Sequence, residues 1–139
     1  MSSTSVTLEQ LKEQGAYQTE NRKFRRRDIW MVHFGDPSTK KTGEIAGYRP
    51  ALLIQSNAGN NNSRNKIVIP ITSSNIKLCK NLITHTRLHL EKESVAQSEL
   101  IQTVSEERFC HYVCTVSPEE MAEIEYRTLI ALGITWVER

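Results

Sequence analysis

The sequence has no long hydrophobic run. Its longest apolar stretches, residues 51–54 and 67–71, are far shorter than the roughly 20 residues that a membrane-spanning helix needs. The N-terminal residues, MSSTSVTLEQLKEQG, also contain no apolar segment of the kind that a secretory signal requires. We therefore expect a protein that does not contact a membrane and is located in the cytoplasm.

Cysteine is scarce, with only Cys79, Cys110 and Cys114 in the chain. An odd number of cysteines without a secretory signal favours reduced thiols over a disulfide framework. The spacing CHYVC, which contains His111, is neither CxxC nor a zinc-finger spacing. On a strand Cys110 and Cys114 would share a face, but no second pair of ligands is evident. We predict small buried side chains here, with no metal and no cofactor.

Several common catalytic motifs are also missing. The sequence contains no GxGxxG, GxxxxGK[ST], HExxH or GxSxG. Proteins that bind nucleotide cofactors, metalloproteases and α/β-hydrolases therefore lose their usual sequence support.

The length of 139 residues and the apolar content of 38% fit a single hydrophobic core. Residues 1–23 are predicted to form an N-terminal extension, in which residues 6–14 can make a short helix that ends at Gly15. Residues 24–139 are predicted to form one domain.

The net charge is only +2, but the positive charge is unevenly distributed. Five cations crowd one short stretch: Arg22, Lys23, Arg25, Arg26 and Arg27. A solvated edge is the favoured interpretation of such a run, and a contact with phosphate groups is the alternative.

Most of the predicted elements are short strands rich in β-branched and aromatic residues. They cover residues 28–34, 50–55, 66–72, 84–90, 94–98, 100–104 and 112–116. One helix is predicted from the capping box of Ser117 and Glu120 to about Leu132, with Gly133 as its stop. Its apolar side is predicted to carry Met121, Ile124, Leu129 and Leu132. We expect an α+β fold that is mainly β, a small barrel with a C-terminal helix.

The stretch YRPALLIQSNAGNNNSRNKIVIPITSS places polar side chains at the ends of two apolar strands. Arg49 is predicted just before the first strand, Thr72 and Ser73 at the end of the second, and an Asn-rich loop between them. A guanidinium group can hold a phosphate through two hydrogen bonds, although pairing with a carboxylate is the simpler role. Pro70 predicts an edge, a bulge or a bend.

Two further segments are candidates for the surroundings of this pair. Residues 35–47 form a long loop without apolar periodicity, which is a candidate lid. In the strand of residues 84–90, His85, Arg87 and His89 share a face. That face would line a polar groove or simply face the solvent.

The stretches RRRDIWMVHFGDP, GYRPALLIQSNAGNNNS, IVIPITS, THTRL, SVAQSELIQTV and SPEEM together resemble the MazF/PemK family of toxin endoribonucleases over residues 26–134. The resemblance implies an SH3-like small barrel of the CcdB/PemK type and a homodimer. It also implies metal-independent cleavage of single-stranded mRNA to 2′,3′-cyclic phosphate and 5′-hydroxyl ends, and a cognate antitoxin protein as partner.

By the same resemblance, two residues are catalytic: Arg49 would stabilise charge on the reacting phosphate, and Thr72 would donate a hydrogen bond to it. The loop of residues 35–47 corresponds to the lid that an antitoxin displaces. The predicted substrate-binding residues are Ser73, His85, Glu99, Asn57 and Gln102.

The sequence departs from the family at several positions. Leu100 and Gln102 stand where a glutamine and an arginine are common, Arg27 where a glycine is usual, and His33 where an aspartate is frequent. The alternative is therefore a non-catalytic binding module, either a gyrase inhibitor like CcdB or an inert RNA binder. Trp136 is a further hint of CcdB, though a packed anchor at the end of the helix is the favoured role.

Overall fold

The structure is a computed structural model that describes residues 22–42, 44–73 and 83–135. Three features singled out in the sequence lie outside these residues: the predicted helix of residues 6–14, Cys79 and Trp136.

The described chain forms a mainly antiparallel sheet and a C-terminal helix, which confirms the predicted fold class. The strands are β1 (Asp28–His33), β2 (Tyr48–Leu53), β3 (Asn65–Thr72), β4 (His85–His89), β5 (Glu93–Gln97), β6 (Gln102–Ser105) and β7 (Phe109–Thr115). The helices are α1 (Asn57–Asn62) and α2 (Pro118–Leu132), and short 3-10 turns cover Pro37–Thr39, Ser98–Leu100 and Glu106–Arg108. The strand order is β4-β5-β3-β2-β1-β7, with β6 beside β3, and the sheet is not closed within the described residues.

Strand β3 is the centre of the sheet because three other strands pair with it. One side of β3 pairs with β2, and the other side pairs first with β6 and then with β5. The change of partner falls between Val68, which is opposite Gln102, and Ile71, which is opposite Ala96. Pro70, which has no amide donor, lies in this gap on the side of β5 and β6, while on the other side it is paired with Ala51 of β2.

The Asn-rich segment after β2 is a short helix, α1, and not the predicted loop. The Ser56 side chain caps this helix by accepting a hydrogen bond from the Gly59 amide at 3.2 Å. Gly59 does not take a positive φ. It is needed because a Cβ there would lie 2.8 Å from the Gln55 side chain. That side chain is itself bonded to the backbone of Asn65 and Ile67 in β3.

Helix α2 closes one side of the core and begins as predicted. Ser117 and Glu120 form the complete capping box, and Gly133 ends the helix in the left-handed conformation. Met121 and Ile124 pack with buried residues of the central strands. Leu132 was expected on the same apolar side but is 51% exposed, because it lies near the end of the last turn.

Arg27 is the one described non-glycine residue with a positive φ, at 81°. Its Nε and Nη2 atoms donate hydrogen bonds to the Val116 carbonyl oxygen at 3.0 and 2.7 Å. The left-handed conformation costs a residue with a Cβ roughly 1–2 kcal/mol. This conformation explains why a glycine suits the position, and the two side-chain bonds offset the strain in this chain.

We expect Arg27→Ala to lower the free energy of unfolding by about 1–2 kcal/mol, because it keeps the strain and loses both bonds. Arg27→Gly relieves the strain and should be about 1 kcal/mol more stable than the alanine variant. Urea denaturation of the two variants measures the difference. Equal stability of the two variants would show that the backbone at residue 27 is not strained.

Candidate functional site

Arg49 lies inside β2, as its second residue, and not before the strand as predicted. Its Nε atom donates a hydrogen bond to the Ala46 carbonyl oxygen at 2.8 Å. Within the described residues, the two terminal nitrogens of the guanidinium group have no hydrogen-bond or ion-pair partner. The predicted alternative, pairing with a carboxylate, is therefore not seen there. The guanidinium group is oriented by one bond and presents its other donors to a ligand.

Thr72 is the last residue of β3, next to Val95 of β5. Ala51 pairs with Pro70 in the β2–β3 ladder, so the same register continued by two residues places Arg49 opposite Thr72. Thr72 is 9% exposed, whereas Ser73 after it is exposed. The cation and the hydroxyl group are thus directed to the same end of the β2–β3 pair.

The loop of residues 35–47 is closed at its base by two backbone hydrogen bonds. Phe34 donates to Gly47 at 2.8 Å, and Gly47 donates to Gly35 at 2.7 Å. A cleft of about 450 Å³ lies between this loop and the connection from β5 to β6. It is lined by Lys40, Glu44, Ile45, Glu99, Leu100, Ile101 and Gln102. Ala46, which accepts the hydrogen bond from Arg49, directly follows Ile45 of this cleft.

Glu99 is held by the first residues of the β4 region. The Thr84 hydroxyl donates to its Oε1 atom at 2.9 Å, and His85 Nε2 lies 2.6 Å from its Oε2 atom. The His85 ring is buried, so it does not share an open face with Arg87 and His89, which are exposed. The pairing with the Glu99 carboxylate keeps the His85 ring inside the protein. The buried ring in turn holds the carboxylate in place.

The connection that carries Glu99 is also anchored to α2. The Thr128 hydroxyl lies 3.0 Å from the Ser98 hydroxyl and 2.7 Å from the Ile124 carbonyl oxygen. Both hydroxyl-bearing residues are buried. The C-terminal helix thus fixes the position of one wall of the cleft.

Gln102 and Leu100, two of the four departures from the family pattern, lie together in the cleft. The Gln102 Nε2 atom donates to the Leu100 carbonyl oxygen at 3.1 Å. Leu100 and Ile101 add an apolar surface beside it. An arginine is common in the family at the position of Gln102. In this chain the same part of the cleft presents an amide and aliphatic carbon.

Asn57 lies at the other end of β2 from Arg49, because it begins α1 after that strand. Its Oδ1 atom accepts from the Arg26 amide at 2.8 Å and from Asn60 Nδ2 at 3.3 Å. The structure thus brings together Arg49 and Thr72, and separately His85, Glu99 and Gln102, but it does not bring Asn57 to either group.

The described cysteines lie in β7. Burial raises the pKa of the Cys110 thiol to about 12 and also raises the pKa of Cys114. Both thiols therefore stay protonated near neutral pH and are not activated nucleophiles. Within the described residues, no three histidine, cysteine or acidic side chains converge on a point where they could hold a metal ion.

Tyr48, next to Arg49, bonds to another part of β7. Its hydroxyl group lies 2.9 Å from His111 Nδ1, and burial raises its pKa to about 12. Because neighbouring residues of a strand point to opposite faces, this pair lies on the face away from the Arg49 side chain.

The cleft also contains three residues that the sequence did not single out within the predicted loop. Lys40, Glu44 and Ile45 come from the candidate lid, and no periodicity or motif marks them.

None of the described helices has both the length and the apolar composition required to cross a bilayer.

Comparison with known proteins gives a consistent result. Residues 25–132 match the sequence model of the family described as PemK-like, MazF-like toxin of type II toxin–antitoxin system. The chain is 31% identical over 116 residues to the endoribonuclease MazF of Staphylococcus epidermidis, a match that covers 80% of this chain and 92% of that protein.

Solved structures share the fold at lower sequence identity. MazF from Deinococcus radiodurans has a TM-score of 0.67 and 19% identity, and the match covers 82% of this chain and all of that one. An endoribonuclease from Mycobacterial species in complex with its cognate antitoxin has a TM-score of 0.64 and 18% identity, with 84% of this chain and 99% of that one covered.

Proposed function

The chain belongs to the PemK-like, MazF-like toxins of type II toxin–antitoxin systems and is an endoribonuclease, and we propose that Arg49 and Thr72 form its catalytic pair. The observation that carries the assignment is the Arg49 guanidinium group. One bond to Ala46 orients it, its terminal nitrogens are open within the described residues, and the strand register puts it opposite Thr72. This is the arrangement that a phosphate group needs from a protein.

The proposed reaction is the cleavage of single-stranded mRNA without a metal ion. The ribose 2′-oxygen attacks the adjacent phosphorus while the bond from phosphorus to the 5′-oxygen breaks. The 2′-hydroxyl proton is lost and the 5′-oxygen gains a proton, which leaves a 2′,3′-cyclic phosphate and a 5′-hydroxyl end. Arg49 stabilises the negative charge that builds up on the phosphate oxygens, and Thr72 donates a hydrogen bond to them.

The remaining predicted residues are proposed to bind the RNA chain. Ser73 follows Thr72 and is exposed, so it can contact the phosphate or ribose beside the cut. Glu99 and Gln102 line the cleft and can meet base edges, and His85 holds Glu99 in place. Unpaired bases are read by such edge contacts in single-stranded RNA. Asn57 is too far along β2 to contact the same nucleotide.

The finer assignments of partner and location are proposals as well. We assign the toxin activity to residues 24–139, with residues 1–23 as an extension. The active form is proposed to be a homodimer in the cytoplasm, where mRNA is found. An antitoxin partner is supported by the complexes of related toxins from Deinococcus radiodurans and from Mycobacterial species.

The deciding experiment is incubation of the purified protein with a long RNA in EDTA, followed by mapping of the new ends. Discrete cuts with cyclic phosphate and 5′-hydroxyl ends are expected. Intact RNA that remains bound to the protein would instead favour an inert RNA binder. Intact RNA together with inhibition of gyrase would favour the CcdB-like alternative.

A further inference from the structure

Residues 22–27 form a segment, here called the N-terminal strap, in which alternate side chains are anchored to the domain. Arg22 pairs with the buried Asp28 at 3.0 Å and lies over the Tyr112 ring. Phe24 packs against Trp30 and Phe109, with ring centroids 4.9 and 5.0 Å away.

The next anchored residue is Arg26. Its Nε atom donates to the Ile54 carbonyl oxygen at 3.0 Å, and its Nη2 atom pairs with Glu125 at 2.7 Å. Of the five cations in the strap, Arg27 is also committed, through its bonds to Val116. Three of the five positive charges therefore serve the fold.

The other two cations, Lys23 and Arg25, are exposed and have no ion-pair or hydrogen-bond partner for their side chains within the described residues. They lie between the anchored residues 22, 24 and 26. Residues 22–25 have no regular secondary structure, but Lys23 and Arg25 border the same small pocket. The anchors thus hold two free cations close together, where neighbouring phosphates of a single strand can meet both.

A small open pocket adjoins these cations. It is lined by Lys23, Phe24, Arg25, Asn57 and Asn61, and none of these residues is acidic. The Asn57 Oδ1 atom accepts two internal hydrogen bonds, so its Nδ2 donor is the part left for a ligand. Two cations and an oriented amide donor favour a phosphate group.

We propose that this surface of Lys23, Arg25 and Asn57 binds the RNA backbone at a distance from the cut. The inference rests on the proposed function and extends it to a second contact. The surface lies at the opposite end of β2 from Arg49, on the order of 15–20 Å away along the strand. An RNA must therefore extend beyond the cleft to reach it, and the contact gives affinity without reading sequence.

The test measures binding of two RNAs to the full chain by fluorescence anisotropy at several salt concentrations. The long RNA reaches both sites, and the short RNA fills only the cleft. Both carry 2′-O-methyl groups so that they are not cut. The variants are Lys23→Gln, Arg25→Gln and the double variant that carries both substitutions. The control is Lys92→Gln, which removes an exposed cation from the turn between β4 and β5.

The double variant should bind the long RNA about tenfold more weakly at low salt. The slope of log affinity against log salt should fall by about 0.7 for each cation removed. Affinity for the short RNA, and binding by Lys92→Gln, should stay at the level of the parent protein. Circular dichroism checks that the variants are folded.

An unchanged salt slope with the long RNA would overturn the inference, and so would an equal loss with the short RNA or with Lys92→Gln. Binding of an acidic peptide at Lys23 and Arg25 without any effect on RNA would show a protein site instead. Cleavage of an unmodified short RNA by the parent protein tests the proposed function separately. If that RNA is cut while the salt slope does not change, only the second contact is wrong.

Discussion

Replacing Arg49 with alanine is expected to lower kcat for RNA cleavage by on the order of 10³-fold. The guanidinium group is oriented by the Ala46 carbonyl oxygen, so its open donors meet the phosphate without reorganising as charge builds up. Because those bonds strengthen in the transition state, the loss should fall on kcat and leave the affinity for uncleavable RNA nearly unchanged. Single-turnover cleavage of a short RNA measures the rate.

Two further variants separate charge from geometry. Arg49→Lys keeps a positive charge but cannot hold a phosphate through two parallel bonds, so it should recover only a small part of the lost rate. Arg64→Ala is the matched control, because Arg64 is exposed and precedes β3, at the end of that strand away from Thr72. Cleavage by Arg49→Ala within tenfold of the parent rate would show that Arg49 is not catalytic.

The strands and the C-terminal helix could be predicted because their signals are local. Alternating β-branched residues marked the strands, and Ser117 with Glu120 marked the start of α2. Helix α1 was missed because asparagine and glycine have low helix propensity. Its stability comes from contacts that the pattern does not reveal: the Ser56 cap and the Asn60 side chain, which donates to the Gln55 carbonyl oxygen at 3.1 Å.

The site was predictable where strand register alone determines it. Arg49 and Thr72 flank one end of two adjacent antiparallel strands, so their proximity follows from the pairing of Ala51 with Pro70. The pairing of His85 with Glu99 joins residues 14 positions apart across a turn and a strand. Strand alternation predicted that His85 would face outward with Arg87, but the carboxylate of Glu99 turns the ring inward.

The burial of Lys66 also could not be predicted from the sequence, because a lysine at the start of a strand is normally exposed. Its side chain is 1% exposed, and its Nζ atom lies 3.2 Å from Glu106 Oε2. It also donates to the Ser63 carbonyl oxygen and lies 5.1 Å from the centre of the Phe24 ring. Two of its three partners, Glu106 and Phe24, come from distant parts of the chain, and no local pattern predicts them.

Glu106→Ala is therefore expected to lower the free energy of unfolding by about 2–3 kcal/mol. The change removes the carboxylate partner and leaves a buried ammonium group with one carbonyl oxygen and one aromatic ring. The value lies below the range for fully buried pairs because the Glu106 side chain is 37% exposed, so solvent already screens the pair. Urea denaturation at neutral pH measures the change.

Lys66→Met is the matched control, since methionine fills a similar volume and can pack against Phe24 without a charge. It should stay within about 1 kcal/mol of the parent, because the lost attraction is balanced by the desolvation cost that no longer arises. In the Lys66→Met background, Glu106→Ala should then cost much less than it does alone. If Lys66→Met is as unstable as Glu106→Ala, the ion pair itself stabilises the fold. If the cost of Glu106→Ala does not change in that background, Glu106 acts through a partner other than Lys66.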